Sequence, residues 1–385
     1  MITFDDVSFA YQGGIPDGSE PPALRHIHFH AERGECIVLC GKSGCGKTTM
    51  LRMVNGLVPN FYQGRLEGDI TVGNVHIKEA SLPQVAAVVG SVFQNPRTQF
   101  FHLDTTGEMA FNMENLNIPH DKMVERLKET AWKLDIQTLM DRDIFQLSGG
   151  EKQQIACGSV YASMPEVIVM DEPSSNLDME SIRKLQDLIR TMKDEGKTIL
   201  ISEHRLWYLE DIADRYVLLK DGQIENEFTS DEILALSLQE LEQSGLRAVR
   251  RKQLWNMGTR TIRQEKDMEK AAFLEIEGLR FSRQMRQVLD INRLAIPKGA
   301  IVAVIGENGA GKSTFALCLC GLLKHHGTVR INGERISNKK LPEQAYLVMQ
   351  EPGHQLFSDS VLGELMLNKG TVTETKAVAV LAKMG

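Results

Sequence analysis

The sequence predicts an α/β protein in which one nucleotide-binding fold occurs twice in tandem, the second time incompletely. Three observations carry this. Two glycine-rich loops, "GKSGCGKT" at 41–48 and "GENGAGKS" at 306–313, each lie between a strand-sized apolar run and a helical pattern. A longer ungapped match pairs "QNPRTQFFHLDTTGE" (94–108) with "QEPGHQLFSDSVLGE" (350–364) at a constant offset of 256 residues. Chance supplies one such loop, but not two ordered motifs with matching neighbours, so the chain contains an internal duplication. Finally, "EVIVMDEP" (166–173) sets two carboxylates at the end of a buried-looking strand.

The chain's 385 residues are too many for one ordinary domain, and 42% hydrophobic with 25% charged residues suits a globular protein with real cores. A net charge of −7 argues against a chain that coats nucleic acid. No apolar run approaches the roughly 18 residues that cross a bilayer. The N-terminal "MITFDDVSFAY" alternates like a strand and not like a signal peptide, so the chain is expected in the cytosol, reaching a membrane through partners. The six cysteines lack paired ligand spacing and are expected to be reduced and mostly buried, not a zinc or disulfide framework. Cys45 stands apart, in the first loop beside a helix N-terminus, a place that lowers a thiol pKa.

In the first copy a strand ending at Cys40 feeds the loop. Gly41, Gly44 and Gly46 let the backbone fold with its N–H groups turned toward phosphates, where a helix dipole also begins. Lys47 can reach the β- and γ-phosphates and the Thr48 hydroxyl can reach Mg²⁺. Lys42, Ser43, Cys45 and Thr49 complete this loop. Gly306, Glu307, Asn308, Gly309, Ala310, Gly311, Lys312, Ser313 and Thr314 form the second. A glycine turn that merely spells the same string is the bland reading, and the strand before and helix after speak against it.

"VIVM" ends at Asp171, placed to orient Mg²⁺, and Glu172 follows, aimed at an attacking water. Ahead of it, "LSGGEKQQ" opens a helix at Ser148, Gly149 and Gly150, a second anion-binding N-terminus. Behind it, the β-branched "TILISEHR" brings His204 to the same sheet edge. "RYVLLKDGQIENEF" then reads as strand, Asp221-Gly222 turn and strand, closing a first domain of 1–228. In the linker, 229–272, a short helix is expected behind Ser230 and Asp231. The basic stretch that follows reads as a solvated connector or, less favoured, a nucleic-acid contact. The second domain, 273–385, opens on "FLEIEGLRF", mirroring "MITFDDVSF".

The order of phosphate loop, Gln94, "LSGGE" (Leu147, Ser148, Gly149, Gly150, Glu151), "MDEP", "SNLD" and His204 resembles the ATP-binding cassette (ABC) family, with "LSGGE" as the specific part. The resemblance implies the P-loop nucleoside triphosphate hydrolase fold. Each cassette would have a mainly parallel sheet, an antiparallel β subdomain and a helical subdomain carrying "LSGGE", with ATP and Mg²⁺ as ligands. It further implies that Tyr11 stacks on adenine and that Gln94 senses the γ-phosphate. Glu172, His204 and Gln94 would serve catalysis, and Thr48, Gln94, Asp171, Ser313 and Gln350 the metal. Two cassettes, within or between chains, close head to tail, so that "LSGGE" caps nucleotide held by the opposite loop.

The second copy departs from this pattern. Arg283 stands opposite Tyr11, and no second "LSGG", Asp-Glu strand end or His switch occurs. By the 256 offset that signature would fall near position 403, past Gly385, so the second cassette is expected to be truncated. The neighbourhood of Gln94 and Gln350 carries Q-x-x-x-x-Q-[FL]-F, and this looks like the ATPases of energy-coupling factor importers. That resemblance implies a polytopic membrane scaffold subunit and a substrate-binding membrane subunit as partners, with no nucleic acid. It also implies a peripheral place at the cytoplasmic face of a bacterial or archaeal membrane. Two other readings stay open: a tandem-cassette translation factor acting on ribosomes, which would carry a longer basic helical linker, and the ATPase of a sugar importer.

Overall fold

The computed structural model describes residues 1–12, 22–250, 272–283, 286–306, 309–349, 352–367 and 372–384. Contacts divide the chain into two compact units, Met1–Arg260 and Thr261–Gly385.

In the first unit, β1 (Ile2–Tyr11), β2 (Leu24–Ala31), β4 (Gly64–Val72) and β5 (Val75–His76) form an antiparallel sheet in the order β2-β1-β4-β5. Strand β1 buries Ile2, Phe4, Val7 and Phe9, exposes Thr3, Asp5 and Asp6 and leaves Ser8 half-buried, the alternation that a half-covered sheet demands. A second sheet has the order β10-β9-β3-β8-β7-β6, built from β3 (Cys36–Cys40), β6 (Val89–Val92), β7 (Val167–Asp171), β8 (Thr198–Ser202), β9 (Arg215–Lys220) and β10 (Gln223–Thr229). All its pairings are parallel except the β9–β10 hairpin, whose Asp221-Gly222 turn holds both residues at positive φ, 49° and 78°.

Strands β3, β7 and β8 are continuous apolar runs because both faces of the sheet are covered. Cys36, Val38, Cys40, Ile168, Met170, Ile199 and Ile201 enter one core, while Ile37, Leu39, Val167, Val169 and Leu200 enter the other. The helices that cover these faces are α1 (Lys47–Val54), α2 (Leu57–Asn60), α3 (Leu82–Ala86), α4 (Thr105–Asn115), α5 (His120–Lys133), α6 (Gly149–Ala162) and α7 (Met179–Asp194). Helix α6 is buried along nearly all its length, packed among α4, α5, α7 and β6.

The first unit runs on past residue 228. Helices α8 (Ser230–Ala235) and α9 (Leu238–Gln243) each begin in a capping box, Thr229 with Glu232 and Ser237 with Glu240. Their Ile233 and Leu241 join the first core, as do Leu246 and Val249. The basic stretch 251–271 lies outside the described residues.

In the second unit, β11 (Ala272–Arg283), β12 (Arg286–Pro297), β13 (His326–Ile331) and β14 (Glu334–Ile336) form an antiparallel sheet in the order β12-β11-β13-β14. Helix α10 (Lys312–Leu319) lies between β12 and β13 in the chain, and α11 (Val361–Met366) and α12 (Glu374–Met384) follow β14. Ile276, Leu279, Leu289, Phe315 and Cys318 make a small core. The parallel sheet expected here is absent among the described residues. Residues 301–306, "IVAVIG", form no strand, and Ile301 and Ile305 are 101% and 89% exposed. The reason is lateral: in the first unit β3 is held between β8 and β9, and strands matching those two do not occur among the described residues of the second unit.

All six cysteines are free and buried, as expected. Burial pushes Cys36, Cys40 and Cys157 up to about 12, so these thiols are inert fillers of the core.

Candidate active site

Strand ends and helix starts meet at the C-terminal edge of β3, β7 and β8, where ligands of open parallel sheets bind. Between β3 and α1 the loop must turn sharply. Gly41 has φ 137°, and a Cβ there would lie 2.3 Å from the Leu219 carbonyl oxygen. Gly44 has φ 80° and nothing within 4 Å of where a Cβ would sit, so its face of the loop is an open cradle. The Lys47 ammonium donates to the Gly41 and Lys42 carbonyls, each at 3.0 Å, and is thereby held across the loop. The cradle with its buried lysine fits the phosphates of a nucleotide.

On α1, Thr48 Oγ1 donates to Asp171 Oδ1 at 3.2 Å. A hydroxyl and a carboxylate at this separation are hard oxygen donors of the kind Mg²⁺ takes. Thr49 Oγ1 lies 3.0 Å from the Tyr11 hydroxyl, which also accepts from Arg52 at 3.3 Å, and the Arg52 guanidinium sits 4.0 Å over the Tyr62 ring. A cavity of about 240 Å³ beside this cluster is lined by Thr48, Arg52, Tyr62, Gln94 and Asp171 among others.

Glu172, at φ 43° just beyond β7, is bracketed. Gln94 Nε2 donates to its Oε2 at 3.0 Å and His204 Nε2 lies 3.3 Å from its Oε1. Burial lowers the His204 pKa, the Lys47 charge lowers it further, and Glu172 opposes both, with Arg247 adding to the lowering. The ring is therefore neutral at physiological pH and stands beside the carboxylate.

One residue that the motifs do not mark organises this end of the sheet. Glu203 is 2% exposed. Its Oε1 accepts from the Ser174 amide at 3.1 Å and the Tyr208 hydroxyl at 3.0 Å. Its Oε2 accepts from the His204 and Arg205 amides at 2.6 and 3.0 Å. Arg205 in turn donates to the Ser174 and Leu177 carbonyls, both at 3.3 Å. The turn bearing His204 is thus stapled to the loop after Glu172. No spacing pattern announces a glutamate of this kind; its neighbour His204 was the visible sign.

The "LSGGE" segment makes its bonds at its own helix start and to Arg142 just before it. Leu147 is buried, and Ser148 caps α6 by accepting from the Glu151 amide at 3.3 Å, while Glu151 accepts from the Ser148 amide at 2.7 Å and from Arg142 at 2.9 Å. Gly150 is required by packing, since a Cβ would meet Ser181 Oγ at 2.1 Å, whereas Gly149 faces open space.

The second loop repeats the first. Gly306, Gly309 and Gly311 hold positive φ, and Lys312 Nζ donates to the Gly306 carbonyl at 2.7 Å as Lys47 does to Gly41. Ala310 precedes the start of α10, which carries Ser313 and Thr314 in its first turn. Glu307, Asn308 and Gln350 lie outside the described residues. The ungapped match also has a physical basis. Glu108 accepts the Phe101 and His102 amides at 2.8 and 2.9 Å, and Glu364 accepts those of Phe357 and Ser358, both at 2.8 Å. Gln99 binds the Phe93 amide and the Ser91 carbonyl, and Gln355 those of Met349 and Leu347.

Over residues 24–175 and 289–385 the chain matches the sequence model of the family described as ABC transporter. It is similar to a putative ABC transporter ATP-binding protein of Treponema denticola, 41% identical over 372 residues that cover 95% of this chain and 74% of the relative. The putative HMP/thiamine import ATP-binding protein of Bacillus subtilis is 29% identical over 411 residues, covering 100% of this chain and 74% of the relative. Among solved structures, CbiO1 of Clostridium perfringens, described as part of the ABC transporter complex CbiONQ, superimposes with a TM-score of 0.55 at 25% identity. That likeness covers 63% of this chain and 94% of CbiO1.

Proposed function

Since the chain belongs to the ABC transporter family, with two ATP-binding domains in tandem, we propose that it powers an energy-coupling factor type importer of a vitamin, cobalt or similar micronutrient. Family membership makes it an ATP-binding and ATP-hydrolysing protein that depends on Mg²⁺. The importer type is supported by the likeness to a putative HMP/thiamine import protein and to a component of CbiONQ. The observation that carries the catalytic half is the bracketing of Glu172 by Gln94 and His204 opposite the Lys47 cradle.

In this reading the first loop's amides and Lys47 bind the β- and γ-phosphates, and Tyr11 presents its ring to the base. Thr48 and Asp171 would hold Mg²⁺, which would supply positive charge to offset that developing on the transferred phosphoryl group. Glu172 orients the attacking water and takes its proton. Gln94 holds that carboxylate by a hydrogen bond with neutral His204 beside it, and both are placed to turn to the γ-phosphate when it arrives. The partner's seat would be the groove beside Gln94, about 560 Å³, lined by Phe93, Phe101 and Phe111. Phe101 and Leu103, 73% and 71% exposed at its rim, give it an apolar lip. No helix among the described residues is long and apolar enough to cross a membrane, and in this reading partners supply the membrane-spanning part. Isolation of the native complex tests this: a polytopic membrane scaffold should co-purify with the chain, and co-purifying ribosomal subunits would overturn the importer reading.

A further inference from the structure

The stretch that follows the last strand of the first unit returns to the phosphate loop. After α9, Gly245 adopts φ 71° and its backbone lies flat against Lys42; a Cβ there would fall 2.8 Å from Lys42 Cε and 3.0 Å from its Cγ. The Lys42 carbonyl is one of the two that hold the Lys47 ammonium, at 3.0 Å. Immediately beyond, the Leu246 amide donates to the Leu241 carbonyl at 2.8 Å, and Leu246, Ala248 and Val249 are buried. Arg247 is the exposed residue between two anchored ones.

Its position is functional on three counts. Its backbone is fixed by its buried neighbours, two residues on from the contact of Gly245 with Lys42. Its charge reaches His204 and lowers that ring's pKa, as the Lys47 charge does, so the guanidinium lies within electrostatic range of the site. The loop's open face at Gly44 lies in the same site. A guanidinium is a planar fork that matches phosphate oxygens, and its bonds to them are charge-assisted.

We propose that Arg247, from outside the phosphate loop, binds the terminal phosphate of the nucleotide held by that loop. This rests on the reading of residues 41–49 as an ATP site. ATP and ADP differ in the group that Arg247 meets, so the segment leading out of the first unit registers which of the two is bound.

The test is a titration of Mg-ATP and of Mg-ADP into the full chain carrying Lys312→Ala, so that only the first loop reports. Adding Arg247→Ala should weaken ATP about tenfold or more and leave ADP within about twofold, the loss typical of a charge-assisted contact. Arg247→Lys should fall between. The side chain is exposed, so its truncation removes no core packing; should the alanine variant unfold, the lysine variant's smaller ATP-selective loss makes the same distinction. Unchanged ATP affinity, or equal losses for ATP and ADP, would overturn the proposal. A parent chain that binds neither nucleotide would instead overturn the reading of the loop.

Discussion

Glu203 gathers four hydrogen bonds onto a carboxylate shut away from water, and every one of its partners is a donor. A carboxylate can accept all four; an amide cannot, because one end would turn N–H groups toward N–H or O–H donors. Glu203→Gln is therefore expected to cost about 1–3 kcal/mol of stability, the usual penalty for buried donors left without acceptors. It should also loosen the turn bearing His204, lowering kcat more than it raises KM. Thermal unfolding and steady-state ATPase assays on the same preparation check this, and a destabilised variant with wild-type kcat would remove Glu203 from the positioning of His204. Residues such as Lys47, Asp171, Glu172 and His204 were legible because phosphate chemistry needs them at set distances from a strand end. Glu203 was not, because its work is done through partners 29 residues away and next door alike. Gln99 and Glu108 fall between, visible as identities between the copies but mute about the amides they hold.

Helix α6 shows how one element depends on its first turn. It is buried on nearly every side, so no amphipathic stripe marks it, and its start was readable from the Ser148–Glu151 cap. Burial raises the Glu151 pKa, but hydrogen bonds from Ser148 and the Arg142 pairing outweigh it and leave a net lowering. A carboxyl whose folded pKa is depressed adds stability above its unfolded pKa and loses that contribution as pH falls through the folded value. Wild type should therefore exceed Glu151→Gln in melting temperature at neutral pH, by the equivalent of about 0.3–1 kcal/mol, because Gln keeps the box but loses the charge that faces Arg142 and the helix N-terminus. The gap should close as pH drops through the ordinary carboxylate range; a gap that stays constant across that range would assign the effect to packing. The strands were readable in the first unit for the same local reasons, alternation in β1 and unbroken apolar runs in β3, β7 and β8. The run at 301–306 misled because a strand is a relation between neighbours, and hydropathy reports only the strand's own half of it.

Taken whole, the 385 residues carry two phosphate loops but one "LSGGE", one Asp-Glu strand end and one His204. If a site needs its loop from one cassette and its signature from another, two first units must meet to assemble working sites. The ATPase rate of this polypeptide should then rise with the square of its concentration in dilute solution, a mass-action signature. A rate linear in concentration would show that one chain assembles a working site by itself. The six exposed residues of "IVAVIG" set a different limit on such experiments. Rich in β-branched side chains, uncharged and without a strand neighbour among the described residues, they offer a ladder edge to any extended chain that arrives, a second copy included. In a preparation of these 385 residues, growth by strand addition would compete with productive pairing, and its colloidal fate would hang on whatever first occupies the two sides of that hexapeptide.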